Sequence, residues 1–173
     1  MVSLWRLMRF QIRDFEPGDF QHLWRIDQQC FPPGIAYSQR ELAHYMRLRG
    51  SFTLVAEAES SAASARKTKD TADGILGFVV GQQPQRKMGH IVTIDVVPEA
   101  RRSGVGSGLM AESEARLKAA GCEAIYLETA VNNVTALKFY KRHGYYVLKT
   151  IPRYYDDKLD ALLLGKKLGG EGC

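Results

Sequence analysis

The stretch "ARRSGVGSGLM", from Ala100 to Met110, combines two arginines, three glycines at alternate positions and the start of a helical pattern. Glycine adopts backbone conformations that other residues avoid, and it lets a ligand approach the main chain closely. The first turn of a helix carries unpaired N–H groups and a partial positive charge, which together favour an anion. The stretch therefore predicts a turn that holds a phosphate group at the start of a helix.

Two familiar phosphate-binding turns fit this stretch poorly. A P-loop requires a lysine after its last glycine, and no lysine lies in this turn. A Rossmann fingerprint places its third glycine three residues after its second, whereas the glycines here are Gly104, Gly106 and Gly108. A glycine turn without any ligand stays open as an alternative, because the spacing alone is weak evidence.

The residues around the turn predict the fold. "HIVTIDVV" (90–97) is rich in β-branched residues and reads as a strand, and Leu109, Met110, Ser113 and Leu117 recur at helical spacing after the turn. Along the whole chain the predicted order is a strand, two helices, three strands, a helix, a strand, a helix and two strands. This order predicts a mixed α/β (α+β) fold in one domain over 1–173, with about seven mostly antiparallel strands and about four flanking helices.

Local signals set several boundaries. We expect Asp19 and Asn133 to cap helices, and Ser38 with Glu41 forms a capping-box pattern. The stretch 58–74 has almost no large apolar residues, so we predict a mobile hairpin loop there, and a flexible tail over 169–173.

Composition and charge restrict the class of protein. The 173 residues are 45% hydrophobic and 25% charged, without an apolar run of membrane-spanning length or a signal-peptide pattern. Three cysteines without metal-ligand spacing predict free thiols in a reducing compartment, and hence a cytoplasmic protein. The net charge of +5 fits either a plain basic protein or one with an anionic partner. The four histidines are not spaced as ligand pairs, so we predict no metal.

The motif R-x-x-G-x-G, which here runs from Arg101 to Gly106, resembles the pyrophosphate-binding signature of the Gcn5-related N-acetyltransferases (the GNAT superfamily). "LETAVNNVTALKFYKRHGY" (127–145) and "IPRYYDDKLDALLL" (151–164) extend the similarity. These segments resemble the branch that acetylates protein N-termini, and the bacterial ribosomal-protein alanine acetyltransferases in particular. The similarity is specific from His90 to Leu168 and loose before Gly81.

The resemblance implies acetyl-CoA as the cofactor, bound where two parallel strands separate. It implies that the pantetheine arm runs along the strand before the turn and that the diphosphate sits on the amides of the turn. The cofactor residues implied in this way are Ile94, Asp95, Val96, Arg101, Arg102, Ser103, Gly104, Val105, Gly106, Ser107 and Asn133. Asp95 departs from the small apolar residue that close relatives carry, which questions either the strand register or the acceptor site.

The resemblance also implies the catalytic groups. Glu128 matches the general base, acting through a water, and Tyr140 matches the general acid that protonates the departing thiolate. His90 is a third catalytic candidate, which either assists Glu128 or is a half-exposed strand residue. From the residues alone, a solvated carboxylate for Glu128 and a core aromatic for Tyr140 remain alternatives.

For the acceptor, the family holds a peptide start between the loop that joins the first two helices and the hairpin that joins the last two strands. The implied residues are Phe31, Pro32, Tyr37, Tyr154 and Tyr155. The α-amino pKa of about 7.7–8.0, against about 10.4 for lysine, suits a weak base. We therefore expect acetylation of a protein N-terminus, with a ribosomal protein as a candidate acceptor, by a monomer or weak dimer.

Two other functions stay open. A GNAT enzyme could act on a lysine side chain or a small-molecule amine, although the two tyrosines of the last hairpin speak weakly against an open small-molecule site. A basic module that binds RNA or the ribosome is the alternative without catalysis. Its basic residues are scattered along the chain, so we expect no direct contact with nucleic acid, and we expect no membrane partner.

Overall fold

The computed structural model describes residues 9–59 and 74–169. Seven strands form one sheet in the order β1-β2-β3-β4-β5-β7-β6. The strands are β1 Phe10–Asp14, β2 Ser51–Ala58, β3 Ile75–Gln85, β4 Met88–Val96, β5 Ala124–Ala130, β6 Tyr146–Tyr155 and β7 Leu159–Lys167. The helices are α1 Phe20–Cys30, α2 Gln39–Arg47, α3 Val105–Ala119 and α4 Val134–Arg142. The predicted order of elements and the mixed α/β architecture are confirmed.

Two of the three predicted helix caps form as expected. Ser38 Oγ accepts a hydrogen bond from the Glu41 amide, and the Glu41 carboxylate accepts one from the Ser38 amide. Asn133 Oδ1 accepts the Ala136 amide at 3.2 Å and caps α4. The prediction for Asp19 was wrong, because its carboxylate bonds the Glu16 amide and the Arg13 guanidinium instead of the first turn of α1.

Helices cover both faces of the sheet. On one face, α3 packs a core of fully buried side chains that includes Val105, Leu109 and Met110. On the other face, Leu23 of α1 and Leu42 of α2 pack around Phe78 and other buried residues. Burial of each of these leucines contributes about 1.5–3 kcal/mol to the stability of the folded state. The two cores therefore stabilise the sheet in the register that the site requires.

A β-bulge in β4 decides which side chains face which helices. Thr93 pairs with Val80 and Ile91 pairs with Gly81, so Val92 is an extra residue on β4. The bulge changes the alternation of side chains. Ile91 and Ile94 therefore pack on the α3 face, whereas Val92 packs with the α1 and α2 core.

The sheet is antiparallel except between β4 and β5. These two parallel strands pair only from Met88 with Ala124 to Ile91 with Leu127. Beyond that point β5 stays paired with β7 through Ala130, and β4 stays paired with β3 through Val96. The two strands therefore separate in the middle of the sheet and leave a gap between their carboxyl ends.

Two sequence predictions lie partly outside the described residues. The proposed loop at 58–74 begins and ends on described residues, but 60–73 lie outside them. The tail predicted at 169–173 is described only at Gly169, and Cys173 is likewise outside. Among the residues that are described, Cys30 and Cys122 are free thiols, and no helix is long and apolar enough to cross a membrane.

Candidate active site

The β4 side of the gap offers main-chain groups. The Val97 amide bonds the Leu76 carbonyl of β3, so in an antiparallel ladder Asp95 also turns its main chain toward β3. By the same alternation, Ile94 and Val96 turn their N–H and C=O groups toward the gap. Of the three residues predicted to bind the pantetheine arm, Ile94 therefore offers both main-chain groups and Val96 offers its N–H, because the Val96 carbonyl already accepts from Arg101 and Cys30, whereas the main chain of Asp95 faces β3.

The turn between β4 and α3 presents free amides. Arg102 and Gly104 have φ angles of 62° and 93°, and Gly104 is the N-cap of α3 without a side chain that could cap it. Among the described residues, none accepts a hydrogen bond from the main-chain N–H groups of 102–107. Unpaired amides at a helix start attract anions, so the turn has the donors that a diphosphate requires.

The two arginines of the turn differ in their surroundings. Arg101 Nε donates to the Val96 carbonyl at 3.1 Å, and Arg101 Nη2 lies 3.6 Å from Cys30 Sγ. The Arg101 guanidinium thus points back toward α1 and β4. Ser103 Oγ donates to the Ala100 carbonyl and stabilises the turn itself.

Packing explains the second glycine of the motif better than backbone freedom does. A Cβ atom at Gly106 would lie 3.2 Å from Cε2 of Phe139, so α4 approaches the start of α3 closely. His143, just after α4, places Nε2 3.1 Å from Ser107 Oγ. The first turn of α3 is thus held by α4 while its amides stay free.

Glu128 and His90 form a close pair at the point where the strands separate. His90 Nε2 lies 2.7 Å from Glu128 Oε2, and both side chains are mostly buried, at 16% and 15% exposure. The His90 ring stacks on Tyr126 with centroids 4.4 Å apart. The structure thus pairs His90 with Glu128, whose relation the sequence left open. The stacking on Tyr126 holds the imidazole from a second side.

Tyr140 extends from α4 into the protein and is 8% exposed. No hydrogen bond of its hydroxyl to another described residue is recorded. Burial raises the pKa of Tyr140 well above the ordinary range of tyrosine, and the neighbouring Asp95 and Tyr155 add smaller contributions. The hydroxyl therefore keeps its proton at neutral pH, as a proton donor must.

The two predicted acceptor segments meet around Glu128. Partial burial, and next the charge of Glu128, raises the pKa of Tyr154 to about 12. The Tyr154 and Tyr155 rings contact each other edge to face with centroids 4.9 Å apart, and Tyr37 contacts Tyr45 at 5.2 Å. Tyr37 of the α1–α2 loop also lies near Tyr154 and Tyr155, which in turn lie near Glu128, so the tyrosines of the two segments form one cluster beside the carboxylate.

The final hairpin differs from the prediction in its length. Tyr154 and Tyr155 belong to β6, and the turn consists of Asp156 and Asp157, with φ angles of 48° and 53°. Two central residues with positive φ and a bond from the Lys158 amide to the Tyr155 carbonyl make a type I′ turn. Gly34 of the α1–α2 loop lies so close to this turn that an added Cβ would collide with Asp156.

Phe31 and Pro32 open the α1–α2 loop, where Phe31 is half-buried and Pro32 is exposed. Within the described residues, no hydrogen bond or aromatic ring contact joins either side chain to the tyrosines. Tyr37 therefore belongs to the site more directly than Phe31 and Pro32 do. Asn133 sits at the start of α4, with its Oδ1 already used as the helix cap.

The sequence reasoning missed three residues of the site. Tyr126 lies two positions before Glu128, and the two-residue period of a strand was a signal that both share a face. The second of these residues, Tyr45, lies on α2. Asp27 follows Leu23 by four residues on the buried stripe of α1, and its carboxylate accepts the Tyr37 amide at 2.8 Å.

Comparisons with known proteins agree with this geometry. The family model described as the acetyltransferase (GNAT) family matches residues 20–145. An N-alpha-acetyltransferase of Sulfolobus acidocaldarius is 36% identical over 175 aligned residues, which cover 94% of this chain and 95% of that protein. An N-acetyltransferase of Methanocaldococcus jannaschii is 38% identical over 94 residues, and that alignment spans 54% of this chain and only 60% of the relative.

A solved structure supports the same assignment. Ard1 from Thermoplasma volcanium superposes with a TM-score of 0.78 at 25% identity, over 93% of this chain and 99% of that one. The family model covers more than half of the chain, and one relative aligns with almost all of it. The chain is therefore a member of the GNAT family of acetyltransferases.

Proposed function

We propose that the chain is an acetyl-CoA-dependent N-acetyltransferase that acetylates the α-amino group at the N-terminus of a protein. One observation carries the proposal: the gap between β4 and β5 has free amides of the α3 turn at one end and the paired Glu128 and His90 at the other. A donor bound along this gap would extend from its diphosphate to its thioester between these two ends.

On the donor side, the amides of 102–107 would hold the diphosphate and the main chain of Ile94 and Val96 would hold the pantetheine arm. Arg102 is exposed at the rim and would add charge to the diphosphate site. Arg101 would act indirectly, because its Nε donates a hydrogen bond that fixes the Val96 carbonyl. Asn133 would contact the cofactor through the amide nitrogen that capping leaves unused.

The chemistry requires one bond to form and one to break. The neutral amine attacks the thioester carbonyl, so a C–N bond forms while the C–S bond breaks. Glu128, through a water, takes the proton that the amine loses, and His90 orients the carboxylate by its hydrogen bond. Tyr140 gives its proton to the departing sulfur. The hydroxyl carries its proton at neutral pH, so the proton is available to the thiolate as it forms.

Three points support an α-amine as the acceptor. The full-length relative from Sulfolobus acidocaldarius bears the name N-alpha-acetyltransferase. Tyr37 and Tyr154 come from different elements and lie near each other, and Tyr154 also lies near Glu128, so together they suit an extended peptide better than a small amine. The α-amino pKa lies about 2.5 units below that of lysine, so its neutral fraction at pH 7 is about 300 times larger. Ribosomal proteins with exposed N-termini are one set of candidate acceptors.

The test is mass spectrometry of peptides incubated with the protein and acetyl-CoA. Each peptide has an internal lysine and either a free or a formylated N-terminus. We expect one acetyl group on the α-nitrogen of the free peptide and none on the blocked peptide. Acetyl groups on the lysine of both peptides would instead assign the enzyme to side chains, and binding of RNA without turnover would refute catalysis.

Matched variants test the residue roles. Glu128→Gln and Tyr140→Phe should each lower kcat by about 100-fold or more, because general acid–base groups contribute about 10²–10⁴-fold. Glu123→Gln and Tyr146→Phe change the same chemical groups at exposed positions of the described structure and should leave kcat within about twofold. Loss of activity in a control, or full activity in a site variant, would remove the assigned role.

A further inference from the structure

The main chain of Tyr37 is held by α1 at both of its polar groups. Its amide donates to Asp27 Oδ2 at 2.8 Å. Its carbonyl accepts from Gln28 Nε2 at 2.7 Å and from Trp24 Nε1 at 3.1 Å. Three side chains on one face of α1 therefore fix a single residue of the loop that leads to α2.

The Asp27 carboxylate is the buried member of this set. Asp27 is 0% exposed, and its second oxygen, Oδ1, has no hydrogen-bond partner among the residues that the structure describes. Asp95 of β4, 1% exposed, faces the same core, and within the same described ranges its Oδ2 also lacks a partner. Removing a carboxylate from water costs free energy unless it is paired, so two such groups in one region require an explanation.

We infer that Asp27 is a positioning residue of the acceptor site: its carboxylate fixes the main chain of Tyr37, and the Tyr37 ring can then line the path of the peptide to Glu128. The inference rests on the proposed function, because Tyr37 bounds an acceptor path only if the chain acetylates peptides. Asp27 itself touches neither substrate nor cofactor in this scheme.

The negative charge resides on Asp27 and not on Asp95. Asp27 Oδ2 accepts from two nitrogen donors, the Tyr37 amide and Gln28 Nε2, whereas Asp95 accepts only from the Thr93 hydroxyl. Burial raises the pKa of Asp27 to about 6, so the group is ionised at neutral pH. Burial and next the Asp27 charge raise the pKa of Asp95 far above its ordinary value, so Asp95 keeps its proton.

The charged and titratable groups around the two carboxylates come from several elements. Asp27 faces Glu41 of α2, which also raises its pKa, and Tyr37 of the loop. Asp95 faces Arg101 of the turn before α3, which lowers its pKa. Cys30 of α1 and Tyr140 of α4 also lie near Asp95, and burial raises the pKa of both, so both are neutral at pH 7.

Steady-state kinetics on the full chain give the first readout. Asp27→Ala should raise the KM of the peptide about tenfold or more, because a hydrogen bond to a charged group is lost, and should leave the KM of acetyl-CoA within about twofold. Asp27→Asn keeps an oxygen for the Tyr37 amide and should recover most of the loss. Asp19→Asn changes another buried carboxylate, which bonds Arg13 and does not touch Tyr37, and it should leave the peptide KM unchanged.

A fluorescence titration gives a readout that needs no substrate. In a Trp5→Phe background, Trp24 is the remaining tryptophan, and it lies three residues before Asp27 on α1. Its emission should change with a midpoint near pH 6, the pKa of Asp27. The step should vanish in Asp27→Asn and persist in Asp95→Asn.

Each outcome decides the inference. If the fluorescence step persists in Asp27→Asn, another group causes it and the inference is refuted. Equal rises in the KM of the peptide and in the KM of acetyl-CoA for Asp27→Ala would refute it as well. If Asp27→Ala does not fold, the Asn variant and the titration still decide. Absence of peptide acetylation by the wild type would refute the proposed function and with it the acceptor role of Tyr37, whereas the Trp24 titration, which does not depend on turnover, would still show whether Asp27 acts on this part of α1.

Discussion

The pair of His90 and Glu128 gives the sharpest test of the proposed chemistry. His90→Phe removes the hydrogen bond but keeps an aromatic ring that can stack on Tyr126, so the variant separates the two contacts of the imidazole. A hydrogen bond to a charged group that is mostly shielded from water contributes about 1.5–3 kcal/mol. If this energy acts on the transition state, kcat/KM should fall by about 10- to 150-fold.

A double-mutant cycle shows whether the two side chains act together. Glu128→Gln alone should lower kcat/KM by about 10²–10⁴-fold, as expected for loss of a general base. In that background, His90→Phe should cost less than about threefold, because the carboxylate that it orients is already gone. The assay is initial-rate thiol release from acetyl-CoA with a saturating free N-terminal peptide.

Additivity would refute the reasoning. If His90→Phe costs the same factor with and without the carboxylate, His90 does not act through Glu128, and a separate role must be assigned to the imidazole. If His90→Phe leaves kcat/KM unchanged in both backgrounds, the hydrogen bond has no part in turnover. Tyr126→Phe keeps the stacked ring, and we expect it to retain wild-type kcat/KM within about threefold as the control.

Four further predictions follow from the fold. Gly104→Ala and Gly121→Ala each force a side chain into positive φ (93° and 91°) and should each cost about 1–2 kcal/mol in urea unfolding, but only the first should raise the KM of acetyl-CoA. Leu109→Ala, at 0% exposure, should cost about 2–5 kcal/mol by the same measurement. Ser38→Ala should cost about 1 kcal/mol through the lost cap of α2. The raised pKa of Asp95 makes the folded state lose stability as pH rises above the unfolded value of about 4, so Asp95→Asn should gain stability relative to wild type between pH 4 and 8 in urea titrations.

Much of the fold was accessible from the sequence because its signals are local. The alternation before Asp14, the capping box at Ser38 and the glycines that end α3 and α4 depend on neighbouring residues only. The capping prediction for Asp19 failed because Arg13, six residues earlier, competes for the carboxylate with a charged hydrogen bond. A contact between two residues at this separation, one in a strand and one after it, leaves no periodic pattern in the sequence.

The site was less accessible because it depends on register. The bulge at Val92 turns Asp95 toward α1, and nothing in the alternation of "HIVTIDVV" indicates where the extra residue lies. Asp95 is therefore a buried carboxyl of the β4 core. The direction of Arg101 likewise depends on Cys30, seventy-one residues away in the chain, which no spacing rule connects to it.

The backbone of Gly34 has an evolutionary consequence. A larger residue at 34 would have to hold a φ angle of 90°, which side chains disfavour, and its Cβ would meet the Asp156 carboxylate. That carboxylate is the free end of an exposed side chain and can turn away, whereas the φ angle cannot relax while the loop keeps its path. Position 34 should therefore stay glycine among descendants that keep this loop, while position 156 is free to change.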